Sequence, residues 1–351
     1  MRERTRLAVG LVFLSACVEP YRPACRPGAE QALSEQPGDL TLHADGQWRY
    51  SSTLNQAPGD GGAFELRATV RSFSAAGESI EERTLVVASE RRALSAVALT
   101  DGFAVANFRS APDGGGSELL LALFSFDGGV ARASVPTGTL GGFGFPVRLA
   151  EVGSLLHLSH LGVEGPELVA FARDATVVAR RPVETTVVFG PDATVVGRDL
   201  VSPRLDVVTS RALSTSEPEV VAWSVGARRW ASARMEADSV LVDQFTFDSS
   251  IGVPRRVSSG ASVTSVALAP TGAGVVFQVL TFEGDEPRSG LWFAAVDADG
   301  WKRGPDVSIG PAPSAMGGLS APPRLAAVGN SSFAVFIQTL GGLTHQQVRC
   351  E

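Results

Sequence analysis

One repeated unit limits what this chain can fold into. It consists of an apolar run, a loop rich in Gly, Pro and acidic residues, and a second apolar run. The clearest copy lies between Gly274 and Gly300, where Val275–Phe282 and Leu291–Val296 flank Glu283-Gly284-Asp285-Glu286-Pro287. Two β-rich runs separated by turn chemistry read as a hairpin. Further copies begin at Trp48, Phe103, Leu155, Leu205 (a weaker one) and Phe333, so successive starts are 55, 52, 50, 70 and 58 residues apart. Short apolar runs precede several copies, as at Ala96–Leu99, Val266–Leu268 and Leu325–Val328. Apart from a marginal stretch at Gly28–Ser34, no segment shows the i, i+3, i+4, i+7 periodicity of an amphipathic helix.

A period of this length with three to four antiparallel strands per unit is the expectation for an all-β propeller. Strands covered on both faces by neighbouring blades are apolar continuously, as these are. Six hairpins predict six blades. The 70-residue gap holds an extra run, Val240–Phe247, and leaves room for a seventh. A strand near Leu40–His43 is expected to complete the short last unit and close the ring. A stacked pair of β-sandwiches or another all-β solenoid is the alternative. The Gly-His…Trp-Asp repeat, the paired-Gly kelch pattern and the S-x-D-x-G-x-x-W box are all missing. The resemblance is therefore to propellers as an architecture and to no named propeller family.

The N-terminus reads differently. Arg2, Arg4 and Arg6 precede an apolar stretch, Leu7–Leu14, far shorter than the ~20 residues of a membrane span. Leu14-Ser15-Ala16-Cys17 follows. This order resembles the signal peptide and lipobox of bacterial lipoproteins. The resemblance implies cleavage after residue 16, acylation of Cys17 with palmitate-type chains, and a stable membrane anchor. Val18 carries no inner-membrane retention signal by analogy with enteric bacteria, so the outer membrane is the expected location. The alternative is an ordinary secretory signal that leaves the protein soluble. Pro20, Pro23, Pro27 and Pro37 mark residues 17–39 as a lipidated, Pro-rich tether, with the propeller domain over 40–351.

Cys25 and Cys350 are the other two cysteines. Export places them where disulfides persist, and a Cys25–Cys350 bridge would join the two ends of the domain. Two free thiols, or pairing with another chain, are the alternatives.

Charge excludes one class of partner. The net charge is −7, and it becomes −9 without residues 1–16, which hold three Arg and one Glu. Lys302 is the only lysine, and no basic cluster longer than a pair follows the N-terminus. A nucleic-acid binder would carry a basic stripe.

Catalytic and metal-binding patterns are thin. His157 and His160, three apart in a strand, point to opposite faces and make a poor metal pair. No G-x-S-x-G, H-E-x-x-H or C-x-x-C occurs, and Gly142-Phe143-Gly144 and Gly272-Ala273-Gly274 are half-fingerprints better read as strand turns. Asp297-Ala298-Asp299-Gly300 lacks the ligands of a full calcium loop and reads as a turn. Trp223, Trp230, Trp292 and Trp301 read as core. No cofactor, metal or catalytic residue is predicted.

The hairpin loops are acidic. If they share one face, Asp60, Asp113, Glu164, Glu217 and Asp285 form an acidic binding face; otherwise they are solvated turns. The expected function is that of a non-enzymatic, monomeric envelope lipoprotein that presents propeller loop faces to a protein or glycan partner. The alternative is a carboxylate-based glycan hydrolase or lyase at the central channel, which rests on fold-level analogy.

Overall fold

The computed structural model describes residues 25–36, 38–56, 64–89, 95–110, 117–137, 147–183, 187–210, 219–248, 254–283, 286–311, 322–339 and 341–350. The chain opens with β1 (Cys25–Ser34). Blade 1 follows as β2 (Asp39–Leu42), β3 (Trp48–Gln56), β4 (Phe64–Phe73) and β5 (Ser79–Ser89). Blade 2 is β6 (Ser95–Ala98), β7 (Gly102–Ser110), β8 (Ser117–Ser125) and β9 (Val130–Thr137). Blade 3 is β10 (Arg148–Val152), β11 (Leu155–Leu161), β12 (Pro166–Phe171) and β13 (Val177–Pro182). Blade 4 is β14 (Val187–Phe189), β15 (Thr194–Val196), β16 (Asp199–Val201) and β17 (Val207–Ser210). Blade 5 is β18 (Glu219–Ser224), β19 (Arg229–Glu236), β20 (Ser239–Thr246) and β21 (Arg255–Ser259). Blade 6 is β22 (Ser262–Ala269), β23 (Gly272–Glu283), β24 (Glu286–Asp297) and β25 (Val307–Pro311). Blade 7 is β26 (Arg324–Ala327), β27 (Ser332–Thr339), β28 (Gly342–Cys350) and, as its outermost strand, β1.

The protein is thus a seven-bladed propeller with four antiparallel strands in every blade. The six-blade expectation is overturned, and blade 4 explains why. Three of its strands have only three residues and give no apolar run to read. The weak hairpin at Leu205 merges β17 with β18, which belong to different sheets. Val240–Phe247 is mostly β20, an ordinary strand of blade 5 and no remnant of an extra blade. The strand near Leu40 does not close the ring. It is the innermost strand of blade 1, while β1 closes blade 7. Residues 25–34, read from sequence as tether, are therefore part of the domain.

Seven apolar clusters hold the blades together, one at each seam. Phe103 and Val105 face blade 1, with Ala68 and Val70. Ala104 and Ala106, between and beside them, face blade 3, with Leu156 and Leu158. A run that looks continuously apolar is thus an alternation shared between two seams. Blade 7 meets blade 1 through Leu40, Trp48, Tyr50, Ala334 and Phe336, with the Trp48 and Phe336 rings 4.8 Å apart. Each fully buried Phe or Leu contributes about 1.5–3 kcal/mol. An exposed pair such as Arg71–Glu82 contributes at most about 1 kcal/mol, so the seams dominate stability.

The ring ends are also fastened covalently. Cys25 and Cys350 are directly opposed in the β1–β28 register and form a disulfide. Both are buried in the cluster between blades 6 and 7. Among the described residues no helix is long and apolar enough to cross a membrane.

One polar lock crosses the seam between blades 3 and 4. His157 Nε2 donates to the Pro203 carbonyl at 2.8 Å, and Nδ1 accepts from the Thr194 hydroxyl at 2.9 Å. The carbonyl only accepts, so in the neutral ring Nε2 carries the proton and Nδ1 takes the Thr194 hydroxyl as donor. Burial pushes the His157 imidazole down to about 4 against an ordinary 6.5, partly opposed by the Pro203 bond. The unfolded chain therefore binds a proton between pH 6.5 and 4 that the folded state refuses. Stability should be full above pH 6.5 and fall by on the order of 3 kcal/mol as pH drops to 4. Urea titrations across this range will show the loss. His157→Gln should be less stable at neutral pH, with a flatter curve below it.

Candidate functional site at the channel mouth

Seven parallel innermost strands surround the central channel, so their first residues stand at one end of it. We call that end the mouth, and the opposite end the far face. Asp39 opens β2, Arg148 opens β10 and Arg324 opens β26. Each side chain is solvent-exposed, whereas the residue after it is buried in a seam. They come from blades 1, 3 and 7, yet they feel one another. Asp39 is raised above the usual carboxylate range because the surrounding strands enclose it, and the Arg324 charge only partly offsets this. Arg324 is destabilised as a cation by the same enclosure; Asp39 opposes that effect and the like charge of Arg148 adds to it. Tyr50 beneath is pushed up to about 12 by burial and then by Asp39, and its hydroxyl donates to the Gln36 carbonyl at 2.5 Å. The wet but confined setting accounts for groups that are accessible yet poorly solvated. Within the described residues these three side chains form no hydrogen bond or ion pair closer than 4 Å.

The far face has the opposite character. His43, just past β2, and Glu151 of β10 are almost fully buried, and His43 Nδ1 donates to Glu151 Oε2 at 2.8 Å. Thr100, past β6, gives Glu151 its backbone N–H at 2.6 Å and its hydroxyl at 2.9 Å. Arg173 donates to the other carboxylate oxygen and lies 3.5 Å from Asp101. Burial alone would raise the Glu151 carboxyl. The His43 bond, the Arg173 charge and Thr100 together hold it below the ordinary range. This cluster ties blades 1, 2 and 3: both oxygens of Glu151 are engaged, while Arg173 Nη1 is buried without a hydrogen-bond partner among the described residues.

The residues singled out from sequence fall unevenly. Cys17, Asp60, Asp113, Glu217 and Asp285 lie outside the described residues. Glu164 is exposed in the β11–β12 turn. His157 and His160 do face opposite seams: Leu156 and Leu158, of the same parity as His160, pack on blade 2, while His157 bonds blade 4. Asp297 caps its own turn, accepting from the N–H groups of Asp299 at 3.0 Å and Trp301 at 2.8 Å. Trp230 is core and stacks on Trp223. Trp301 is not core. It is 51% exposed, under the Arg255 guanidinium at 4.2 Å.

Sequence reading missed Asp39, Arg148 and Arg324. Each is one charge before an apolar strand, and only ring closure brings them together. The one available signal is that a charge recurs at the same place in three units.

No family model and no curated protein matches the sequence. Solved structures, propellers by name among them, match over most of the chain. The propeller domain of the Trilobed protease from Pyrococcus furiosus covers 91% of this chain and 94% of its own, at 10% identity and a TM-score of 0.37. The Dos1 propeller covers 92% and 95%, at 8% identity and a TM-score of 0.41. An uncharacterized protein from Listeria monocytogenes covers 90% and 97%, at 8% identity and a TM-score of 0.43. These likenesses concern the fold alone. The strand order and the seven seams define the class independently.

Proposed function

We propose that the protein is a non-enzymatic binding module of the cell envelope, acylated at Cys17 and anchored to the outer membrane. It engages a protein or glycan partner with the face onto which the channel mouth opens. The contrast between the channel ends carries this reading. The far-face carboxylate, Glu151, is engaged by His43, Thr100 and Arg173, whereas Asp39, Arg148 and Arg324 are exposed and form no such bonds among the described residues. The Cys25–Cys350 bridge supports the export component, since such bonds persist in oxidising compartments.

Two experiments test the two components. Palmitate labelling should be lost in Cys17→Ala, and labelling that survives the substitution overturns the anchor. Cross-linked envelopes should yield a specific partner with the acylated wild type and none with an Asp39→Asn/Arg148→Gln/Arg324→Gln variant. Equal recovery from both overturns the role of the mouth.

One observation favours the second reading, a carboxylate-based glycan hydrolase or lyase. Glu219 is the first residue of β18, as Asp39 is of β2. That reading predicts release of sugar ends from envelope polysaccharide, abolished by Asp39→Asn. Absence of release by the wild type removes it.

A further inference from the structure

A second feature lies on the outer flank, away from the channel. Blades 5 and 6 part there to leave a cleft of about 520 Å³ lined by Arg256, Ser258, Val279, Trp292, Lys302 and Asp306. The cleft is shallow and open to solvent, so a ligand would lie across it with one face exposed. The floor is apolar: Trp292 and Val279 are half-buried and pack against the seam between the two blades. The walls are polar and organised by one carboxylate. Asp306 Oδ2 accepts from the Ser258 hydroxyl at 2.5 Å, and Oδ1 lies 2.8 Å from Lys302 Nζ. Arg256 is exposed and donates to the Ser259 hydroxyl at 2.7 Å. A guanidinium has about five N–H donors, so most of this one remains available.

Lys302 is paired with Asp306, and Arg256 is the exposed cation that faces the cleft on a chain of net charge −7. Lys302 is the only lysine in the sequence. The best occupant has a flat, partly apolar face for the indole, hydroxyls for Ser258 and Asp306, and one negative charge for Arg256 and Lys302. A sugar ring bearing a carboxylate meets all three requirements. A neutral sugar leaves the positive charge uncompensated. A phosphate group puts two negative charges at one point beside Asp306, whereas each uronic-acid ring brings one. Carboxylate recognition by guanidinium is directional and charge-assisted. We infer that this cleft is a binding site for an acidic glycan, with Trp292 under a uronic-acid ring and Arg256 and Lys302 on its carboxylate. Asp306 is a positioning residue that holds Lys302 and Ser258. The inference does not depend on the channel mouth or on acylation.

The test uses the purified mature protein and trigalacturonate as the probe, with cellotriose as the neutral counterpart, in titration calorimetry. Trigalacturonate should bind and cellotriose should not. Arg256→Gln and Lys302→Gln should each weaken binding by about tenfold or more. Trp292→Phe, which keeps an apolar floor if Trp292→Ala fails to fold, should weaken it less. Bound trigalacturonate should also protect Lys302 from an amine-acetylating reagent, read by mass spectrometry. No binding at millimolar probe overturns the inference. So does equal binding of cellotriose, binding unchanged in the Arg256→Gln/Lys302→Gln double variant, or acetylation of Lys302 that the probe does not slow. Glucose 6-phosphate binding more tightly than trigalacturonate overturns the assignment of a carboxylate.

Discussion

Replacing Cys350 with serine should cost about 2–5 kcal/mol of folding stability, and treatment of the wild type with a phosphine reductant should reproduce the loss. The bridge spans 325 residues, and chain entropy alone sets a ceiling of about 5–6 kcal/mol for so long a loop. Two structural facts argue for a large fraction of that. First, β1 buries almost nothing except its ends: Cys25 and Ser34 are buried, while the seven residues after Cys25 are exposed. Its grip on β28 is therefore backbone hydrogen bonding at an edge, without a hydrophobic face to support it. Second, the bonded cysteines sit in the seam between blades 6 and 7 beside Val348, Val307 and Ile309. Loss of β1 reduces blade 7 to three strands and opens that seam to water. Guanidinium unfolding of wild type, reduced wild type and Cys25→Ser/Cys350→Ser gives the comparison. An unchanged midpoint on reduction would mean that β1 is held by contacts other than those described.

Glu151→Ala should be comparably damaging, at about 3–5 kcal/mol. Glu151 and His43 are both nearly inaccessible, with side-chain exposures of 2% and 1%. Removing the carboxylate strands the His43 N–H, the Thr100 N–H and hydroxyl, and part of the Arg173 charge at one point. Breaking one member of a buried cluster leaves partners desolvated and unpaired, which costs more than the net worth of the contact. Glu151→Gln keeps the shape and one acceptor, so it should recover part of the loss. Because the carboxyl is held below its ordinary range, its contribution is present at neutral pH and disappears as pH falls through that depressed value. The acid limb therefore runs the same way as that of His157. The measurement is denaturant unfolding at pH 7 for the three proteins. A loss under about 1 kcal/mol would show that the far face tolerates an uncompensated His43.

The parts of the fold legible in the sequence were those with long apolar strands. β23 and β24 pair over twelve residues without a bulge, so their hairpin announces itself. Blade 4 was illegible for the opposite reason. Thr194–Val196 is too short to show a period, and its burial comes from the seams on either side, where Val195 faces blade 5 and Val196 faces blade 3. Tertiary packing, and not local propensity, makes it a strand. β1 misled through Pro27 and Gly28, which read as tether. An outermost strand tolerates proline because one side of it needs no ladder bonds. The cysteines were the one feature of this segment that chemistry alone picked out. The mouth left only a faint signal, one charge at the start of three units, because Asp39, Arg148 and Arg324 are far apart in the chain and share an end of the channel only once the ring has formed.

The position of the disulfide also has a mechanical consequence. Under the proposed acylation of Cys17, a pull from the membrane would reach the ring at Cys25, the first residue of β1. A strand loaded at its end normally unzips one hydrogen bond at a time, which takes little force. Here the first link in that zipper is a covalent bond to Cys350. Tension is passed to β28, which is paired on both sides by β1 and β27, and the load becomes shear across a whole blade. In a single-molecule pulling experiment through the N-terminus, the oxidised ring should yield at a higher force than the reduced one.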